Sequence, residues 1–191
     1  LAWRQRQALA DAVRNVQLVF IVTGLGGGTG CGVTHVVAKI ACQANALTIV
    51  LATTPTGIEH RRPSFVQTAI RRISQQADTL ILFPHQTMAE NSGKSAEPTL
   101  ETVFRPAGEA IQQCILGIVC GLEGQLVGAD FSDIADVTCR QDDKNSMLAR
   151  FSQGVALGEC NLLLATQRAL ISHPYIADIA TAHGLLITIS T

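Results

Sequence analysis

The stretch Gly24-Leu-Gly-Gly-Gly-Thr-Gly-Cys-Gly32 puts six glycines in nine positions. It follows directly on an apolar run at 18–22 and leads into a helix-like segment at 33–45. A strand that ends in a glycine-rich turn and opens a helix is suited to hold an anion. Glycines let backbone N–H groups approach it closely, and the positive end of the helix dipole faces the same point. The spacing excludes the two commonest phosphate loops, because no Lys follows the glycines and no window reads G-x-G-x-x-G. A flexible hairpin or a close helix–strand contact is the other account these residues leave open. A second chemical pair is Asp130 and Asp133, three residues apart near the start of a short helix and hence on one of its faces. Taken alone, Asp130 or Ser132 as a helix cap is the favoured account of that pair.

These residues need elements to position them. Residues 8–16 carry apolar side chains at 9, 12, 13 and 16, which predicts a helix ahead of the first strand. In 33–45, Val33, Val36, Val37, Ile40 and Ala41 fall on one helical stripe, and the β-branched run 47–53 reads as a buried strand. Strand–helix–strand at this spacing predicts a right-handed parallel crossover. The polar loop from Thr54 to Pro63 then lies at a strand's C-terminal end, the edge of an open parallel sheet where ligands collect. Its Glu59, Arg61 and Arg62 read by themselves as a solvated charge cluster.

Further on, a helix at 64–77 leads to a strand at 79–83 stopped by Pro84, and 86–98 reads as a surface loop. The longest apolar-periodic segment runs from about 99 to 122, with regular helix expected from Phe104 and Pro106 in its first turn. Some 17 residues at ~1.5 Å each would carry it about 25 Å, from one side of the domain to the other. After it come a loop entering a short helix at 124–136, a strand at 147–151, a helix at 161–172 and a strand at 185–189.

Composition supports this plan. Hydrophobic residues make up 47% and aromatics only 4%, the profile of a sheet covered by helices on both faces. A net charge of −1 gives no electrostatic reason to expect nucleic acid or an anionic membrane as partner. No apolar run approaches the ~20 residues of a membrane-spanning helix. The six cysteines contain no C-x-x-C pair and read as buried small hydrophobes rather than a disulfide frame or zinc site, with Cys31 reactive only if exposed. The histidines, His35 among them, show no metal-ligand spacing, so no protein-held metal is expected. The first residues carry neither an initiator Met nor the order of a secretory signal and read as the interior of a helix, as in a fragment.

The glycine stretch resembles the signature loop of the tubulin/FtsZ family, Gly-Gly-Gly-Thr-Gly-Ser/Thr-Gly, with Cys31 in the Ser/Thr place. Pro55 to Arg62 resembles that family's loop whose Glu and Arg face the ribose and phosphates, and Ala129-Asp-Phe-Ser-Asp-Ile134 its Asn-x-Asp-Phe-x-Asp segment. Gly154-Val-Ala-Leu-Gly158 and Ala169-Leu-Ile-Ser-His-Pro174 match two later stretches, so the resemblance runs in order over nearly the whole chain. It implies an α/β fold, a parallel sheet flanked by helices, incomplete at its N-terminus, with a long central helix and the start of a second α+β domain. The implied division is 1–122 for the partial nucleotide-binding domain and 123–191 for the catalytic loop and the beginning of the C-terminal domain.

The same resemblance implies a cytoplasmic GTPase of the bacterial division ring that polymerises head to tail, meets the membrane only through other division proteins, and takes GTP or GDP with Mg2+ accompanying the nucleotide. Gly26 and Gly27 would supply the turn; Gly28, Thr29 and Gly30 would offer N–H groups, and Thr29 its hydroxyl, to the phosphates. Glu59 would accept from the ribose hydroxyls and Arg62 would meet the terminal phosphate, or Arg61 in its place because this loop is one residue short. Phe104 would lean on the base, while Asp130 and Asp133 would reach the nucleotide of the neighbouring subunit and polarise the attacking water. The chain departs from the family at Gly108, where an Asn or Asp usually reads guanine, with Glu109 next to it. It departs again at His85 and Gly128, both usually Asn. Those losses favour a competing role, a non-hydrolysing structural relative that joins filaments; the retained Asp130 and Asp133 speak for hydrolysis.

Overall fold

The computed structural model describes residues 5–55, 63–85, 100–122, 130–139, 147–156, 162–171, 182 and 184–189. Four strands, β1 (Leu18–Gly24), β2 (Leu47–Thr54), β3 (Thr79–Pro84) and the short β4 (Met147–Ala149), form one parallel sheet in the order β1-β2-β3-β4. Leu18 lies opposite Leu47, Ile49 opposite Thr79, and Thr79 opposite Met147. The continuous apolar run of β2 is explained by its interior place, with every residue from Leu47 to Ala52 buried. β1 lies at the edge of the described sheet, so its equally apolar Leu18 to Ile21 are only half-buried.

Strand side chains alternate between two helical layers. Val50, Ala52 and Leu80 point to one face, where α2 (Gly28–Gln43) and α3 (Pro63–Ser74) cover them with Cys31, Ala38, Val66, Ala69 and Ile73. Leu47, Ile49, Leu51, Ile81 and Phe83 point to the other, against α4 (Leu100–Leu122) and Ile134 of α5 (Phe131–Thr138). Each fully buried Leu, Ile or Phe contributes about 1.5–3 kcal/mol, so the two layers hold the sheet between them. The step from β3 to β4 crosses the sheet in the same direction as the earlier steps but over the opposite face. That crossing therefore has the opposite hand to the two before it.

The helix expected at 33–45 begins five residues earlier, at Gly28, inside the glycine stretch. Glycine disfavours helix by about 1 kcal/mol per residue, and burial of Cys31, Thr34, Ala38 and Ala41 along one stripe offsets it. Its other end is closed by Asn45 at φ 59°, in the left-handed region that Asn tolerates. The Ala46 N–H then bonds the Ala41 carbonyl at 3.2 Å and the Asn45 N–H the Cys42 carbonyl at 3.0 Å, a Schellman closure. A short α1 (Arg6–Ala12) precedes β1 and is shorter than the 8–16 expected.

α4 starts at Leu100, where its apolar periodicity begins and before the Phe104 expected from Pro106, so Pro106 falls in the second turn rather than the first. The backbone bond lost at Pro106 is tolerated because Ala107, Ala110, Ile111, Cys114 and Ile118 bury one continuous stripe against the sheet. The expected strand at 185–189 is not one. No described segment pairs with its backbone, and it docks on α4 through Leu186 in the core and a bond from the Thr188 hydroxyl to the Gly117 carbonyl at 2.9 Å. Gly154 lies tight against α6 (Leu162–Ile171), where a Cβ would fall 1.8 Å from the Ala165 carbonyl oxygen. The Ser152 hydroxyl and the Arg168 guanidinium tie the same two segments together through the Ala169 and Val155 carbonyls.

Cysteine exposure gives a direct check on the layering. Cys31 and Cys114 are buried and Cys120 is exposed on α4, and burial pushes the Cys114 thiol up to about 12. At pH 8 a thiol-specific reagent, read by peptide mass mapping, should label Cys120 in the folded protein. Cys31 and Cys114 should react only after denaturant is added.

Candidate functional site

β1 ends at Gly24, Leu25 and Gly26 make the turn, and Gly27 is the N-cap of α2 with extended backbone (φ −117°, ψ 161°) and no capping side chain. The first helical bond is from the Cys31 N–H to the Gly27 carbonyl at 3.1 Å. The N–H groups of Gly28, Thr29 and Gly30 therefore precede the helical ladder and are available to an anion. Gly28 and Thr29 are exposed. A Cβ built at Gly27 or Gly28 would meet nothing within 4 Å, so this mouth is open.

Gly30 is different. A Cβ there would fall 2.0 Å from the Gly24 carbonyl oxygen and 2.8 Å from the Thr23 hydroxyl. The sequence left an anion cradle and a close helix–strand contact as alternatives; the contact is made at Gly30, while Gly27 and Gly28 border open space. Gly27 and Gly28 keep the mouth clear, and Gly30 lets the helix touch the strand.

The turn is anchored by residues that periodicity did not single out. Leu25 is fully buried in the layer beneath α2 and α3. Its N–H bonds the Thr53 carbonyl at 2.9 Å, and its carbonyl accepts from the buried Cys31 thiol at 3.0 Å. The Thr34 hydroxyl donates to the Thr23 hydroxyl at 2.9 Å, fastening α2 to β1 one turn further on. A lone Leu among glycines was the available signal. Cys31, in the place where a Ser or Thr was expected, thus serves as an internal donor rather than an exposed nucleophile.

A second cluster forms at the C-terminal end of β3. His85, which follows Pro84, is buried, and its ring meets that of Phe104 edge-on at 4.6 Å and 82°. Phe104 keeps 39% of its surface exposed. Gly108 lies one turn along the same face of α4, exposed, with nothing within 4 Å of a built Cβ. Glu109, its acidic neighbour, is held by the Arg105 guanidinium at 2.7 Å on the exposed side of the helix. The glycine turn and the Phe104 cluster share the C-terminal edge of the sheet, two strands or about 10 Å apart in backbone terms. Glu59, Arg61, Arg62 and Gly128 lie outside the described residues.

Asp130 and Asp133 form a reciprocal capping box at the start of α5. Asp130 Oδ1 accepts from the Asp133 N–H at 2.9 Å and the Ser132 hydroxyl at 2.6 Å, and Asp133 Oδ2 accepts from the Asp130 N–H at 3.0 Å. The Ser132 hydroxyl, then the Asp133 N–H, hold the Asp130 carboxyl below its usual range. These bonds engage Asp130 Oδ1 and Asp133 Oδ2. The far end of α5 is fixed at the opposite edge of the sheet, where the Thr79 hydroxyl donates to the Thr138 carbonyl. The glycine turn opens α2 and the carboxylate pair opens α5, on opposite faces of the sheet.

Residues 1–93 match the family described as "Tubulin/FtsZ family, GTPase domain". "Cell division protein FtsZ" of Neisseria meningitidis serogroup A is 31% identical over 194 residues, covering 100% of this chain and 47% of its own length. The protein of that name from Neisseria gonorrhoeae shows the same figures. The chain thus spans about half the length of the curated relatives it matches. Among solved structures, a Trp-to-Tyr variant of FtsZ from M. jannaschii superposes with a TM-score of 0.77 at 29% identity, covering 90% of this chain and 50% of the other. An empty FtsZ dimer from M. jannaschii gives the same TM-score and covers 48% of that chain.

Two substitutions separate the two uses of glycine. Gly30→Ala should cost about 3 kcal/mol or more through backbone overlap, seen as a large loss in denaturant midpoint. Gly28→Ala should change stability by less than about 1 kcal/mol. Equal effects would show that Gly30 does not make the helix–strand contact.

Proposed function

Because the chain belongs to the tubulin/FtsZ family, with division-protein relatives matched along its whole length, we propose that it acts as a GTP-binding, GTP-hydrolysing cell-division protein that assembles head to tail. The observation that carries this reading is the open N-terminus of α2 at Gly27 and Gly28, set on the C-terminal edge of a parallel sheet. Phosphates would rest on the N–H groups of Gly28, Thr29 and Gly30, with the Thr29 hydroxyl beside them and Gly26 and Gly27 shaping the turn. The base would reach across two strands to the exposed face of Phe104, beside Gly108. Glu59 and Arg62 would close over the ribose and the terminal phosphate.

Mg2+ enters as the partner of the nucleotide's phosphates. Among the described residues no group of three His, Cys, Asp or Glu side chains could hold a metal, while the Thr29 hydroxyl lies at the phosphate end. Asp130 and Asp133 open a helix on the face of the sheet opposite α2 and would serve the nucleotide of the next copy. Both carboxylates lie exposed at the helix start, where capping holds them in place. With its pKa held low, Asp130 stays ionised and would orient and polarise the attacking water as an acceptor. Hydrolysis then requires assembly, since each copy holds one part of the site, and the empty dimer among the structural relatives fits a self-assembling family.

The proposed division of the chain is 1–122 for nucleotide binding and 123–191 for the catalytic loop and the start of a C-terminal domain. Action at the division site, in the cytoplasm and with other division proteins, belongs to the same proposal. Among the described residues no helix is long and apolar enough to cross a membrane.

The decisive measurement is GTP turnover against protein concentration, with the chain joined to the segments its relatives carry outside the matched region. Turnover should rise steeply above a threshold, and Asp130→Ala should abolish it while sparing GTP binding. Turnover surviving in Asp130→Ala would remove the catalytic assignment; filaments without turnover would favour a structural, filament-joining role. Gly108 has space for a side chain, so Gly108→Asn should fold normally and raise discrimination of GTP over ATP by about tenfold. A competition titration reads this directly.

A further inference from the structure

His35 is a titratable group that the proposed site does not use, and its surroundings fit only one of its two protonation states. It lies on α2 one turn after Cys31, whose thiol braces the Leu25 carbonyl, and next to Thr34, whose hydroxyl bonds Thr23. Its Nδ1 is sealed from solvent and has no hydrogen-bond partner among the described residues. A neutral ring tolerates that environment far better than a charged one. Burial holds the His35 pKa below its usual 6.5 and Arg72 of α3 pushes it the same way, with the Cys31 backbone pulling weakly against them.

Among the described residues the carboxylate bonded to α2 is Asp78, which accepts from the Cys42 thiol at 3.6 Å two turns beyond His35. α2 itself carries Lys39 one turn beyond His35, and α3 carries Arg71 and Arg72. β1 and β2 have no ionisable side chain, and α2 and α3 have no carboxylate. On α1, Arg6 donates to Gln43 at 3.2 Å, and Asp11 is paired with Arg14 at 2.7 Å. A proton on His35 therefore adds a cation facing Arg72.

We propose that His35 is an acid-sensitive latch between α2 and α3. Neutral, it lets the two helices close beside Arg72. Protonated, it is driven toward water, and α2 loosens along the turns that carry the Cys31 and Thr34 bonds to the glycine turn. The folded state takes up this proton less readily than the unfolded state. Stability is therefore complete above 6.5 and declines as the pH falls below that value. The latch stands on this geometry alone; only its consequence, weaker anion binding in acid, rests on the proposed nucleotide site.

The test is made without nucleotide, so absence of GTP binding leaves its outcome unchanged. The imidazole signal lost in His35→Gln identifies His35 by NMR, and it should titrate below 6.5 in the wild-type chain. Between pH 7.5 and 5.5 the wild-type folding constant should fall more steeply than that of His35→Gln, by up to about tenfold per pH unit. Amide protection at Leu25 and Cys31 should fall with it, in the wild type only. Arg72→Gln should raise the His35 titration point, and this also serves if His35→Gln does not fold. Titration of His35 at or above 6.5, or parallel pH profiles in the two proteins, would overturn the latch.

Discussion

α2 meets β1 backbone to backbone, at a distance only glycine permits. With a Cβ position at Gly30 only 2.0 Å from the Gly24 carbonyl oxygen, no other residue fits there unless helix and strand move apart. That contact sets where the first turn of α2 stands relative to the end of the sheet, and the exposed N–H groups of Gly28 and Thr29 follow from it. Leu25 keeps the turn from sliding, because it is buried while both its backbone groups are bonded, to Thr53 and Cys31. A glycine-rich segment is entropically costly to order, and here the ordering comes from one buried leucine and the bonds around it.

The carboxylate pair is a structural element as well as a proposed catalytic one. Asp130 and Asp133 close the start of α5 by bonding each other's N–H groups, and the cap holds both side chains in one orientation. A carboxylate held rigid by its cap is better placed to direct a water than a freely rotating one. α5 is pinned at the N-terminal ends of the strands through Thr138 and Thr79, whereas the glycine turn stands at their C-terminal ends. A site completed by a neighbouring copy, as proposed, would join elements from the two faces of the sheet.

At the other end of the proposed nucleotide site, support and recognition have diverged. His85 packs edge-on beneath Phe104 and keeps that ring in place on α4, although the position usually carries an amide in the family. Gly108 provides space where a base-reading side chain is usual, and the neighbouring Glu109 is engaged with Arg105.

The three main strands, the helices between them and the glycine turn at the sheet edge were legible in the sequence, because continuous apolar runs and helical apolar spacing are local properties. Asn45 marked the end of α2 and Asp130 the start of α5 for the same reason: capping is decided within a few residues. What tertiary structure alone decided were matters of distance between segments. Which glycine touches the strand and which leaves an opening depends on where β1 lies under α2, and the start of α2 at Gly28 depends on the core it packs against. Residues 185–189 form an apolar, β-branched run like a strand, yet among the described residues they dock on α4 without a ladder, because a strand exists only when another backbone stands beside it.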